Sequence, residues 1–148
     1  MILEGIITTI NPDGSPNISP MGPTVDASLS SFVLRPFTTS TTYQNLKRNG
    51  QGIFHVTDDV ELLAQAAIGQ PCPLPEMQPC VAVDGMIIVS ACRWYGLQVT
   101  AIDDRQERSS MKCQVVQRGT LRDFFGFNRA KHAVVEAAIL ATRTQFLQ

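Results

Sequence analysis

"FVLRPFTTSTTYQNLKRNGQGIFHVTDD", Phe32 to Asp59, is the passage on which the fold turns. Ser31–Arg35 reads as a strand, and Pro36 ends it. Five of the six residues from Thr38 to Tyr43 then carry a short hydroxyl side chain. A helix begins inside this run, where Thr41 and Gln44 have capping-box spacing and Gly50 supplies a stop. "GIFHV" is the next strand. A polar loop needs no such density of hydroxyls. A helix start that exposes unpaired N–H groups and a partial positive charge attracts an anion, above all a phosphate. Ser40, Thr41 and Thr42 stand at that spot, with Arg35 upstream and Lys47 or Arg48 downstream to supply full charge. The plainer reading is a capped helix with a polar lead-in, for which one hydroxyl suffices.

Upstream, Ile2–Ile10 reads as a strand, "NPDGSPN" as a turn centred on Asp13-Gly14, and Ile18–Met21 as the returning strand. Gly22-Pro23 breaks that strand sharply and frees backbone groups that could meet the edge of a planar ring; an ordinary strand end is the alternative. Downstream, "DDVELLAQAAIG" reads as a helix with Asp58 and Glu61 at capping-box spacing. Gln70–Pro79 holds four prolines and reads as loop. Met86–Ala91 resumes the strand pattern, and Tyr95–Ile102 with Met111–Gln117 form a long hairpin around "DDRQERSS". From Arg129 on, Ala130, Ala133, Val134, Ala137, Ala138 and Ala141 mark one face of a helix. Its small residues invite close packing, either by a partner or by chain beyond Gln148. Six or seven strands, two short helices and one long one, without a βαβ rhythm, predict a mainly β protein with helices, an antiparallel β-barrel.

Composition narrows the function. A chain of 148 residues with 44% apolar and 17% charged residues is one globular domain. A net charge of −1 does not point to nucleic acid, and no apolar run is long enough to span a membrane. Cys72, Cys80, Cys92 and Cys113 form no CxxC pair and lie far from His55 and His132, so no metal site is expected; reduced thiols fit a cytoplasmic protein. GxSxG, Walker and post-strand GxGxxG patterns are absent, and no nucleophile–base arrangement stands out. Trp94 and Tyr95 read as core or interface. In "FFGFNRAKHA", Asn128 is a good N-cap, yet Arg129, Lys131 and His132 follow in the first turn, where cations oppose the helix dipole. A bound anion would relieve that conflict; solvation of the side chains would as well.

The order of these features resembles the FMN-binding split barrels, the flavin reductase-like and pyridoxamine-phosphate-oxidase-like groups. "GIITTINPDGSPNISPMGP" and the Phe32–Asp59 passage carry the likeness, and "GFNRAKHAVVEAAILATR" is similar to an uncharacterised prokaryotic family of that kind. The resemblance implies a split antiparallel barrel over residues 1–127 and a C-terminal helix over 128–148, read as the start of a helical extension. It implies FMN, with its phosphate on Thr39, Ser40, Thr41 and Thr42, Asn45 and Arg35 nearby, and its ring against Ser19, Pro20, Met21 and Gly22. It also implies a homodimer whose second subunit completes the pocket, with Asn128 and His132 as candidates for that contribution. The function expected is a flavin-dependent oxidoreductase fed by a nicotinamide cofactor. A non-catalytic flavin-binding module and a partner-docking domain without flavin are the alternatives.

Overall fold

The computed structural model describes residues 1–144; residues 145–148, the tail of the expected C-terminal helix, lie outside the described residues. The chain opens with the hairpin β1 (Gly5–Ile10) and β2 (Pro16–Met21). Its turn is held by Asn11 N–H on Ser15 O at 2.8 Å and by Asp13 Oδ1, which accepts from the Ser15 amide at 3.0 Å. After the Gly22-Pro23 break come β3 (Thr24–Val25), β4 (Ser31–Leu34), α1 (Thr41–Asn49), β5 (Gln51–Val56) and α2 (Val60–Ile68). Then follow β6 (Met77–Pro79), β7 (Met86–Ile88), the long hairpin β8 (Arg93–Asp103) and β9 (Ser110–Thr120), and α3 (Arg129–Arg143).

Seven strands form one antiparallel sheet in the order β2-β1-β5-β8-β9-β4-β3. The first residues of the chain close it. Ile2 bridges Thr24, Val25 N–H donates to Met1 O at 2.8 Å and Leu3 N–H to Pro23 O at 3.0 Å. The sheet thereby curls into a barrel and leaves few free edges. Bulges between Gly96 and Leu97 and between Val99 and Ala101 help the long hairpin bend. Ile7, Phe32, Phe54, Tyr95, Leu97 and Met111 fill the interior. Phe32 and Phe54 meet edge-to-face at 5.5 Å, and each buried side chain of this size contributes about 1.5–3 kcal/mol.

Outside the barrel, α2 and α3 pack on each other and on the β1–β2 hairpin through Ile6, Ile18, Leu62, Leu63, Ala66 and Ala138. β1 is therefore covered on both faces, and Ile6, Ile7, Thr8 and Thr9 are fully buried. The buried hydroxyls are satisfied: Thr8 donates to Met86 O at 2.6 Å, and Thr9 accepts from Asn45 at 3.0 Å. His55 joins three strands, with Nδ1–H on Ile6 O at 3.1 Å and Nε2 accepting from Ile88 N–H at 2.9 Å.

Several sequence expectations shift. The cap of α1 is Ser40 rather than Thr41, and that of α2 is Asp59 rather than Asp58. Gln70–Pro79 is not all loop, because β6 at its end pairs with β7; prolines are tolerated there on a two-stranded edge. The first strand starts at Gly5, not Ile2, and β3 and β6 raise the strand number to nine among the described residues. The largest change is in α3. Of the face expected to pack, only Ala138 is buried; Ala130, Ala133, Val134 and Ala137 are exposed. The helix instead turns Val135, Ala138, Ile139 and Thr142 inward. Valine and isoleucine bury more apolar area than a row of alanines, so they set the roll of the helix.

Candidate functional site

The hydroxyl run ends where α1 begins. Ser40 is extended, with φ −83 and ψ 152, and its Oγ accepts from the Tyr43 amide at 3.1 Å. Its own amide donates to Phe37 O at 2.9 Å. The next two amides, of Thr41 and Thr42, belong to the first turn and have no intrahelical acceptor. At the other end Gly50 takes φ 74, a left-handed conformation suited to glycine, and its amide donates to Leu46 O at 2.8 Å.

The tip of the β8–β9 hairpin holds the loop in front of this helix. Ser109 Oγ donates to Pro36 O, Thr38 N–H donates to Glu107 O at 2.8 Å, and Phe37 bridges Arg108. Arg108 lies over the Phe37 ring at 5.5 Å and its Nε donates to Arg35 O at 3.3 Å. Arg35 and Arg108 therefore flank the helix start together. Neither is in an ion pair with a carboxylate of the described residues.

These groups occupy one side of a cleft of about 520 Å³, a usual size for a small-molecule site. Thr39, Ser40 and Thr42 line it with Arg35 and Arg108. Ser19, Pro20, Met21 and Gly22 from β2 and the break after it line it too. Leu63, Ala66 and Ala67 of α2 form an apolar wall, continued by Ala138 and Ile139 of α3. Glu4, Thr142 and Arg143 line it as well. A Cβ added at Gly22 would come within 2.8 Å of Glu4 Oε1, so the carboxylate sits directly on that glycine. Partial burial pushes the Glu4 carboxyl above the usual carboxylate range and Glu136 adds to this, while Arg143 acts against it.

Most of the predicted binding residues thus meet in one space, and six candidates do not. Thr41 is exposed and off the cleft. Asn45 is buried behind the helix, donating to Thr9 Oγ1 and Asn11 Oδ1, each at 3.0 Å. Lys47 and Arg48 are also engaged elsewhere, Lys47 with Asp104 at 2.8 Å and Arg48 with Asn45 at 2.9 Å and the carbonyl of Ile10. Asn128 and His132 line a separate pocket of about 180 Å³ with Asp58, Phe124, Phe127 and Val135. There Asn128 caps α3 by accepting from the Lys131 amide at 3.1 Å, and His132 faces Glu136 at 3.5 Å. Glu4, Arg108, Arg143 and the α2 and α3 walls escaped the sequence reading. Arg108 reads as part of a charged hairpin tip, and only the pairing with residues 36–38 brings it to the site.

The described residues contain no group of three or more metal-ligating side chains placed to hold an ion, and no helix long and apolar enough to cross a membrane. All four cysteines are free.

A curled antiparallel barrel with a cleft between its opening hairpin, the first helix and two outer helices is the architecture of flavin reductase-like split barrels. Residues 3–122 match the family model described as "Protein of unknown function (DUF447) N-terminal domain", and the chain belongs to that family. No curated protein has a significant match to it. Among solved structures it is similar to an FMN-bound protein of the same family from Methanosarcina mazei, with TM-score 0.84 and 20% identity over 99% of this chain and 76% of that one. It is also similar to an FMN-binding protein from Thermus thermophilus with bound 1-cyclohex-2-enone, with TM-score 0.68 and 10% identity over 80% and 70%. The flavin reductase of styrene monooxygenase from Pseudomonas putida gives TM-score 0.66 and 10% identity over 80% and 79%.

Proposed function

We propose that this protein binds FMN in the cleft and acts as a flavin-dependent oxidoreductase of flavin reductase type, supplied with electrons by a nicotinamide cofactor. The observation that carries the reading is the pair Arg35 and Arg108, neither ion-paired among the described residues, beside a helix start where the Thr41 and Thr42 amides have no intrahelical acceptor. Such a corner is suited to a phosphate dianion. The M. mazei relative of the same family is FMN-bound, which supports the choice of phosphate ligand.

In this reading Arg35, Arg108, Ser40 and Thr42 hold the phosphate, and Thr39 covers it. Backbone from Ser19 to Gly22 orients the ring system. The apolar wall from Leu63 to Ile139 keeps water from it. Bound FMN supplies the redox chemistry itself, taking up hydride and passing on electrons. We place the protein in the cytoplasm as a homodimer. Two surfaces support the dimer: the exposed face of α3, with Val134 36% and Leu140 62% exposed, and the neighbouring Phe125 and Phe127 at 72% and 104%. Asn128 and His132 lie beside these phenylalanines, where they would reach a partner's cleft. The division into a barrel over 1–127 and a helical segment from 128 belongs to the same proposal.

Titration of the apoprotein with FMN and with riboflavin tests the binding. FMN should bind with quenched flavin fluorescence and far more tightly than riboflavin, at one per chain. Equal affinities would remove the phosphate corner from the proposal. Anaerobic bleaching of the yellow complex by NADH or NADPH supports the oxidoreductase; failure to bleach leaves the non-catalytic flavin module as the function.

A further inference from the structure

The cleft holds a titratable side chain that phosphate binding does not use. Glu4 lines the cleft where it meets Gly22, just after the β2 residues Ser19 to Met21 that also line it. The absence of a side chain at Gly22 lets the carboxylate rest directly over it; a Cβ there would push the carboxylate aside. Among the described residues Glu4 has no hydrogen-bond donor and no ion pair within contact distance.

The charged groups around it can be named. From α3 come Arg143, which stabilises its anion, and Glu136, which opposes it. Arg35 and Arg108 line the same cleft at the α1 side. The lining residues of β2 and α2 are Ser19, Pro20, Met21, Gly22, Leu63, Ala66 and Ala67, none of them titratable. Glu4 is thus the one carboxyl group among the described lining residues.

We propose that Glu4 is the side chain that tunes the bound flavin, its negative charge disfavouring the reduced cofactor and its protonation removing that restraint. The inference rests on the FMN reading above, which puts the ring against Ser19–Gly22. Its physics is simple. Reduction brings negative charge to the flavin, and a carboxylate at the ring edge repels that charge. Partial burial already holds Glu4 toward its protonated form, so its ionisation responds to a further charge nearby.

The test is the midpoint potential of protein-bound FMN, measured anaerobically across pH in the whole protein and in Glu4→Gln. The variant should bind reduced FMN more tightly relative to oxidised FMN, by about tenfold at the alkaline end, which is an upward shift of ~30 mV for a two-electron couple. The difference between the two proteins should vanish at acid pH, where Glu4 is protonated in the wild type. In an Arg143→Gln background the same difference should set in at higher pH, because a guanidinium that favours the carboxylate is gone. A purely structural Glu4 would give no such profile. FMN bound normally with potentials that coincide, or differ equally at every pH, overturns the inference and leaves FMN binding intact. Failure of the wild-type apoprotein to bind FMN overturns the functional reading and the inference with it.

Discussion

Two helix starts looked alike as sequence, and the fold treats them differently. Both α1 and α3 begin with a polar cap near basic residues. At α1 the cap opens into a walled cleft, and Arg35 and Arg108 stand beside it without carboxylate partners among the described residues. At α3 Lys131 lies 4.6 Å from the centre of the Phe125 ring, and the His132 ring faces Glu136. The lesson is that a helix dipole alone does not make a site. What distinguishes α1 is a distant hairpin, whose tip anchors the preceding loop and brings a second arginine to it.

The sharpest way to break the contrast is to remove both arginines. Arg35→Ala with Arg108→Ala should cost FMN about 3–4 kcal/mol, at roughly 1.5–3 kcal/mol for each charged hydrogen bond, or a hundred- to thousandfold in affinity at ~1.4 kcal/mol per decade. Riboflavin affinity should stay nearly the same. Arg129→Ala with Lys131→Ala, at the other helix start, should change FMN affinity by less than about threefold, the small effect of charges without a direct ligand contact. If the two double variants lose FMN equally, the asymmetry between the starts is wrong.

The anchor of the α3 side supplies the next test. Asp58 is 6% exposed and binds Arg122 at 2.6 Å, and it also accepts from Arg122 Nη1 and the Phe125 amide. These bonds, led by that to Arg122, hold its carboxyl down at about 2. Asp58→Ala should destabilise the protein by about 3 kcal/mol, the low end for breaking a buried pair because Arg122 is 40% exposed. Urea unfolding would measure it. A loss below ~1 kcal/mol would mean that the segment from Leu121 to Asn128 is held by its phenylalanines instead.

Acid should separate the two sides in turn. Burial pushes the His55 imidazole down to about 4 from 6.5. Between those values the unfolded chain takes up a proton that the folded chain refuses, so stability falls as pH drops from 6.5 to about 4. The loss approaches ~3 kcal/mol, at 1.36 kcal/mol per pH unit. Asp58 behaves in the same direction but later: its contribution is present above 3.8 and goes as pH falls through about 2. The strands tied by His55 should therefore weaken while the α3 anchor still holds. Unfolding free energies that stay flat from pH 7 to 4.5 would mean that His55 is protonated in the folded state.

What could be read from the residues divides along the same line. Local chemistry was legible: the Asp13-Gly14 turn, the Gly50 stop, the long hairpin around residues 103–110, and the hydroxyl-rich start of α1. Each depends on residues a few positions apart. The contributions of Arg108, Glu4 and Arg143 depend on pairings across most of the chain, and no local pattern marks them. The roll of α3 failed for a related reason. Its alanines repeat at a helical period, but period tells which residues share a face, not which face buries more area. Closure of the barrel by Met1–Leu3 was likewise hidden, because an exposed strand end and a closing strand look the same until the partner is known.

The smallest test compares the caps themselves. Ser40→Ala and Asn128→Ala each remove a side-chain acceptor from a helix start, from the Tyr43 amide and the Lys131 amide respectively. Each should lower stability by about 1 kcal/mol. The two should part company in ligand binding. Ser40 lines the cleft, so its loss should also weaken FMN by roughly 1 kcal/mol, the usual value of a single hydrogen bond, because Oγ can donate to a phosphate while still accepting from Tyr43. Asn128 can affect FMN only through a second subunit. Its effect should therefore fade when the protein is diluted below its dimerisation constant, while that of Ser40 persists. An Asn128→Ala loss of affinity that is independent of protein concentration would place that residue on its own chain's ligand and reverse the assignment of the two helix starts.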